Sequence, residues 1–503
     1  MSTGPIDVAG DEYAPRRIYE TLIAESRDVR LERDSLGALA VPADAYWGIH
    51  TARALINFPI TRRAIYNYPD LVRSLARVKQ AAARANARLG VLEADVARAI
   101  DAACEEIAQG ALHAEFRVGV IQGGAGTSTN MNANEVIANR ALELLGHAKG
   151  EYERLDPIDH VNRSQSTNDV YPTAVRLAMV FALERLLDDH GALIEAMRAK
   201  GAAFADVLKV GRTQLQDAVP MTVGQEFRGW AHTLAEDEAR LREVIRGLHE
   251  INLGGTAIGT GIAADPRYAE AVRAELAALL DADIVTSPDL IEATSDVGAF
   301  MSLSGTLKRT AVKLSKICND LRLLSSGPQA GLGELKLPPR QAGSSIMPGK
   351  VNPVIPEVVN QVAFAVIGAD ATVTAAAEAG QLQLNAFEPV IAHSLLQSAN
   401  WLANACYTLR VNCIEGIEVD SGRLRAQVAS SVGVVTALTP YIGYQAAADL
   451  AHEALATGVS IGELVIDRGL MPRALVEKLL TPERLSGLTP TTGAIPRPPA
   501  PEQ

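Results

Sequence analysis

Long uninterrupted helical stretches constrain this chain most. Residues 171–206 and 357–380 are Ala-rich and carry no proline after their first turns. Each can exceed about 20 residues, or about 30 Å of helix. Leu303, Leu307, Ala311, Leu314, Cys318 and Leu321 step by 4, 4, 3, 4 and 3, which puts them on one helical face. Trp230, Leu234, Leu241, Ile245 and Leu248 repeat that pattern across 222–250. Long helices with Ala-rich faces bury them by packing on one another, so the spacing predicts a mostly α fold with a bundle of long helices. Composition agrees: aromatics are only 4% of the chain, while Ala and Leu, both strong helix formers, are abundant. The strand signal is confined to LGALAVP (36–42), which reads as a short hairpin strand.

A length of 503 residues suggests about three domains. Residues 1–35 are mixed and charged with no clear period and read as a loosely docked arm. Residues 489–503 hold five prolines in fifteen positions and read as a disordered tail. No internal repeat of about 20–50 residues is present.

Lys plus Arg number 47 and Asp plus Glu 59, giving a net charge of −12. An acidic chain repels phosphate backbones, so nucleic acid is not an expected partner. Cys104, Cys318, Cys406 and Cys413 have no CxxC spacing and are too sparse for a disulfide scaffold. No apolar run reaches transmembrane length; the longest candidate, Val362–Ala377, is broken by Asp370 and Thr372. No signal-like apolar region opens the chain, so the expectation is a cytoplasmic protein with no membrane partner.

Four segments stand apart from the helices: GGAGTSTNMNANE (123–135), DHVNRSQSTND (159–169), GRTQLQDAVP (211–220) and GSSIMPGKVNP (343–353). They are dense in Gly, Ser, Thr, Asn and Gln and are expected at helix ends. Hydroxyl and amide groups beside free helix N–H groups suit a small anion. In the last segment Gly343 and Gly349 bracket a loop, and Pro348 and Pro353 bar helix. Lys350 is a point charge suited to a carboxylate. Some of these residues also have a structural alternative. Thr127, Ser128 and Asn130 fit a helix N-cap, and Asn168 fits an Asx turn. Asp217, Glu226 and His160 read as structural. No His, Cys, Asp or Glu group has metal-ligand spacing, and no dinucleotide or P-loop fingerprint occurs, so neither metal nor cofactor is expected.

The 343–357 stretch resembles the signature of the aspartase/fumarase superfamily. The other three segments are similar to its remaining site segments, in the same order, and the resemblance runs from about residue 36 to about 470. Within the superfamily, NRSQSTNDVYPT (162–173) and PVIPEVVNQV (353–362) look like the aspartase branch. Gln214 stands where class II fumarases usually carry His. The resemblance implies a three-domain fold: residues 36–166, a central long-helix bundle over 167–422, and a small domain over 423–488. It implies a homotetramer whose sites draw residues from three chains. It implies removal of ammonia from L-aspartate to give fumarate through an aci-carboxylate, with fumarate hydratase as the alternative.

The implied roles follow by matched position. Ser344 is the base, acting as an alkoxide. Thr127, Ser166, Thr167 and Ser345 hold the β-carboxylate. Thr213, Lys350 and Asn352 hold the α-carboxylate. Thr127, Asn168 and Gln214 contact the ammonium group. Ser128, Thr129 and Asn130 complete the substrate-binding set, and Glu357 orients the network around Lys350. Asp156 and Ile158 replace polar residues that form a second anion site in some fumarases, so that site is expected to be absent.

Overall fold

In a computed structural model, residues 18–487 are described, and the expected tail over 489–503 lies outside them. The chain divides into two units of contact. One comprises residues up to 186, 240–308 and 365–401; the other comprises 187–239, 309–364 and residues from 402 onward. The long helices Thr167–Ala203, Val223–Leu248, Gly298–Leu324, Val354–Glu378 and Glu388–Asn412 each contribute residues to both. The expected helical positions Leu303, Leu307, Ala311, Leu314, Cys318 and Leu321 are all buried.

In the first unit the helix Ile18–Glu25 is followed by a hairpin in which Val29–Asp34 pairs antiparallel with Gly37–Pro42. The strand expected at 36–42 is therefore present, but its partner falls within the expected 1–35 arm. The arm boundary is corrected: Glu32 and Arg30 are anchored to the body, with Arg30 donating to the carbonyls of Ala45 and Trp47 at 2.7 Å. Low local periodicity hid this strand because its alternation is mostly charged.

The Pro69–Arg88 helix starts with proline at its first position and Asp70 in its first turn, both favourable there. It ends where Gly90 adopts φ +72° and its N–H reaches the Ala87 carbonyl. Leu71, Val72, Leu75 and Val78 of this helix are buried, as are Ile100, Ile107, Val136 and Ile137 of the unit's neighbouring helices. Each such side chain contributes about 1.5–3 kcal/mol by leaving water.

The second unit contains a second hairpin, Leu208–Thr213 with Gln216–Thr222. The 211–220 segment is thus a hairpin tip rather than a helix end. Farther on, Val428, Leu438, Leu450, Ile461, Val465, Val476 and Leu479 form a small core with Val210. The helix Ser421–Ser430 runs across the expected 422/423 boundary, so that domain edge falls inside an element.

One expectation on hydropathy is corrected. The Val354–Glu378 helix is long and apolar enough, by length and composition, to cross a membrane. Asp370 does not break it, because Ser304 and Lys308 bond its carboxylate. All four cysteines are free and buried.

Candidate active site

The 343–353 segment forms an exposed loop closed at its neck. A methyl group on Gly343 would lie 1.7 Å from the Lys350 carbonyl oxygen, so only glycine fits there. Asn352 donates its side-chain amide to the Gly343 carbonyl at 3.0 Å and ties the same neck. Inside the loop, the Ile346 and Met347 N–H groups donate to Ser344 Oγ at 3.2 and 2.9 Å. Two backbone donors on one hydroxyl oxygen favour its ionised form. Ser345, Ile346 and Lys350 are exposed around it. Glu357 sits in the first turn of the helix that follows and forms no side-chain bond among the described residues.

The hairpin tip in the same unit carries Thr213 and Gln214. Gln214 and Leu215 adopt φ +53° and +63°, the left-handed region, although neither is glycine. A two-residue hairpin turn demands that geometry, and holding it with ordinary side chains stores strain of the kind found at functional sites. The base of the hairpin is rigid. Buried Lys209 bonds Glu226 at 2.7 Å and Glu334 at 3.1 Å, and Arg212 bonds Glu334. Burial raises the Glu226 carboxyl, and Lys209 opposes that rise. Asp217 lies 3.7 Å from Arg212, so Asp217 and Glu226, both read from the sequence as structural, each face a basic partner in this hairpin.

The other unit holds the remaining candidates on two helix N-termini. Thr127 is the first residue of the Thr127–Leu144 helix, and its cap is Gly126 at φ +88°, not a side chain. Thr127 Oγ1 donates to the Gly124 carbonyl at 2.7 Å, which leaves its lone pairs as acceptors. Ser128 is half-buried beside it. Thr129 is fully buried and closed against Gln122, which donates to its hydroxyl at 2.9 Å. Asn130 is buried too, and its amide donates to Asn162 Oδ1 and Thr167 Oγ1, both at 3.1 Å. Thr129 and Asn130, both expected as substrate contacts, thus lie beneath the surface: Gln122 bonds the Thr129 hydroxyl, and the Asn130 amide N–H groups go to Asn162 and Thr167 while its Oδ1 has no hydrogen-bond partner among the described residues.

Ser166 and Asp169 cap the Thr167–Ala203 helix reciprocally. Asn168 N–H donates to Ser166 Oγ at 3.2 Å, and Ser166 N–H donates to Asp169 Oδ1 at 2.9 Å. Thr167 Oγ1 accepts from Asn130, so its own proton is free for another acceptor. Asn168 gives its side-chain amide to the Ala257 carbonyl at 2.7 Å. Asp169 Oδ2 accepts from the Gly254 and Thr256 N–H groups at 3.0 and 2.9 Å. Burial still pushes Asp169 up to about 6.

The sequence reading missed the segment INLGGTAIGTG (251–261) that makes these bonds. Its glycine density was the available signal. It also missed Lys79, fully buried, which donates to Asn162 Oδ1 at 2.8 Å and which burial pushes down to about 7. His160 is structural: its Nδ1 accepts from the Asp156 N–H at 2.8 Å. Among the described residues, no group of three or more His, Cys, Asp or Glu could hold a metal ion.

Two family models match the chain. The one described as "Lyase" covers residues 37–368, and "Fumarase C C-terminus" covers 434–487. The aspartate ammonia-lyase of Pseudomonas fluorescens is 57% identical over 466 residues, 92% of this chain and 98% of that protein. The crystal structure of fumarate lyase:delta crystallin from Brucella melitensis bound to cobalt superposes with a TM-score of 0.89 at 54% identity. It covers 91% of this chain and 100% of that one. The class II fumarase of Schistosoma mansoni superposes with a TM-score of 0.86 at only 34% identity, over 91% of this chain and 99% of that one.

Proposed function

The chain belongs to the aspartase/fumarase superfamily of lyases, and from that premise we propose that it is an aspartate ammonia-lyase, eliminating ammonia from L-aspartate to leave fumarate. The observation that carries the chemistry is Ser344 Oγ receiving the Ile346 and Met347 N–H groups within the exposed signature loop.

A proton on C3 beside a carboxylate is weakly acidic, and its loss places a second negative charge on that carboxylate. Ser344 takes the proton as an alkoxide. The two N–H groups stabilise the alkoxide, and Lys350 adds positive charge. Thr167, Ser166 and Ser345 donate to the developing dianion. Thr167 suits this role because Asn130 occupies its acceptor side. Thr213, Lys350 and Asn352 hold the α-carboxylate. The C2–N bond then breaks, its electron pair leaves with nitrogen, and the ammonium group departs as neutral ammonia with no acid needed.

Thr127 and Asn168 are acceptors for the ammonium group. Thr127 spends its proton on Gly124, and Asn168 spends its amide on Ala257, so each presents oxygen lone pairs. Of the two expected duties of Thr127, this bonding favours the ammonium over the β-carboxylate. Gln214 joins them from the hairpin tip.

We also propose that the protein is a homotetramer with sites shared between subunits. Exposed Val358, Phe364 and Ile367 on a helix that apolar offer a surface for other copies, and light scattering tests it. A cytoplasmic location is proposed on the four unpaired, buried cysteines.

The deciding experiment follows fumarate absorbance after adding L-aspartate and, separately, L-malate. Fumarate from aspartate alone supports the reading. Fumarate from malate alone overturns it in favour of a hydratase.

A further inference from the structure

The candidate residues of the first unit sit on two helix N-termini, and something must fix one terminus against the other. We propose that Tyr171 is that positioning residue: its ring, wedged against Gly126, sets Thr127 relative to Ser166, Thr167 and Asn168. The inference rests on the aspartate ammonia-lyase reading and deepens it.

Three observations carry it. Tyr171 lies four residues beyond Thr167 and three beyond Asn168 on one helix, hence on the same face about one turn along. The ring is buried, with 1% exposure. A methyl group on Gly126 would lie 2.3 Å from Tyr171 Cγ and 2.6 Å from both Cδ1 and Cδ2. Equal distances to the two Cδ atoms mean that the position a Cβ would take at Gly126 lies on the ring's midline, nearest Cγ, and not at one edge. The ring thus occupies the space that any side chain at 126 would need.

Gly126 is also where the second helix begins. Its carbonyl accepts the Asn130 N–H at 2.9 Å, and its φ of +88° turns the chain into Thr127. A flat, rigid ring against this residue leaves Thr127 little freedom, because packed interiors do not compress. The Asn130–Thr167 hydrogen bond at 3.1 Å is the second strut between the same two helices. With both in place, the ammonium acceptors Thr127 and Asn168 are held at one separation. Misplacing a reacting group by about 1 Å can cost roughly 100-fold in rate.

The experiment compares Tyr171→Phe, Tyr171→Leu and Tyr171→Ala in the full chain. It measures kcat and KM for L-aspartate, fumarate binding by calorimetry, and thermal melting. Tyr171→Phe keeps the ring and is expected within about threefold of the parent. Tyr171→Ala is expected to raise KM and weaken fumarate binding by about tenfold or more, since the loss of placement is the effect sought. Tyr171→Leu keeps much of the volume without the plane and is expected between them, which secures the test should the alanine variant fail to fold. The inference is overturned if a folded Leu or Ala variant melts lower yet keeps kcat, KM and fumarate affinity, for that is packing alone. It is equally overturned if Tyr171→Phe is as impaired as Tyr171→Ala, for then the hydroxyl matters and not the ring. A parent protein that makes no fumarate from aspartate sinks the functional reading instead, while the calorimetric comparison still judges Tyr171.

Discussion

Asn252 donates its side-chain amide to the Asn168 carbonyl at 3.0 Å, at a place near the start of the Thr167–Ala203 helix where the backbone has no i+4 donor. Pro172 is the residue whose N–H would otherwise bond Asn168, and proline has none. A proline inside the longest helix is thereby tolerated, and the repair comes from the segment whose Ala257 carbonyl fixes the Asn168 side chain. Both ends of Asn168, backbone and amide, are held by residues 252–257.

Removing that repair should be felt twice. Asn252 is buried, and it also bonds Thr294 at 3.1 Å. Asn252→Ala leaves the part-buried Asn168 carbonyl without this donor, at about 1–3 kcal/mol. Denaturant unfolding should report that loss, and kcat/KM for aspartate should fall with it as Asn168 loosens.

Ser344→Ala should abolish turnover while leaving assembly intact. Losing the base should lower kcat by about 1,000-fold or more, near the upper range of general-base effects. Light scattering and melting should match the parent. Unchanged turnover would remove Ser344 from the mechanism.

Gly343→Ala separates loop geometry from loop chemistry, since no reacting side chain changes. The added methyl meets the Lys350 carbonyl, which is backbone and cannot step aside cheaply. We expect a large loss of kcat/KM with melting nearly unchanged, because the loop is exposed and contributes little burial. A lower melting temperature with normal kinetics would contradict this.

His190 predicts acid sensitivity of the fold. Both ring nitrogens are buried without a hydrogen-bond partner among the described residues, and burial pushes the imidazole down to about 4. Asp237 acts to raise it and Lys313 to lower it. The unfolded chain takes up this proton near pH 6.5, before the folded one does, so stability should fall as pH drops from about 6.5 to about 4. The gap corresponds to about 3 kcal/mol at most. His190→Phe should flatten this part of the stability–pH curve. An unaltered curve would place the acid sensitivity elsewhere.

Much of this was legible in the text of the chain. The helices were, because a 3.6-residue period is a local property and Leu303 through Cys318 display it directly. The polar site segments were as well, because Gly, Ser, Thr and Asn interrupt that period. The charged strand Val29–Asp34 was not, since its partner and its bonds to the body lie outside any local window. Thr129 and Asn130 read as contacts because their side chains suit substrate; their burial against Gln122 and Asn162 is a tertiary fact that no local window shows.

The sequence by itself determined the family, the helical class and which segments gather the polar candidate residues, because these rest on local period and on motif order. The tertiary structure alone decided how those residues are held. Lys79 reaching Asn162, Asn252 repairing the turn before Pro172, and Tyr171 standing against Gly126 join positions far apart in the chain. No local pattern encodes such pairs, for they exist only once buried polar groups must find partners and packed side chains must share one volume.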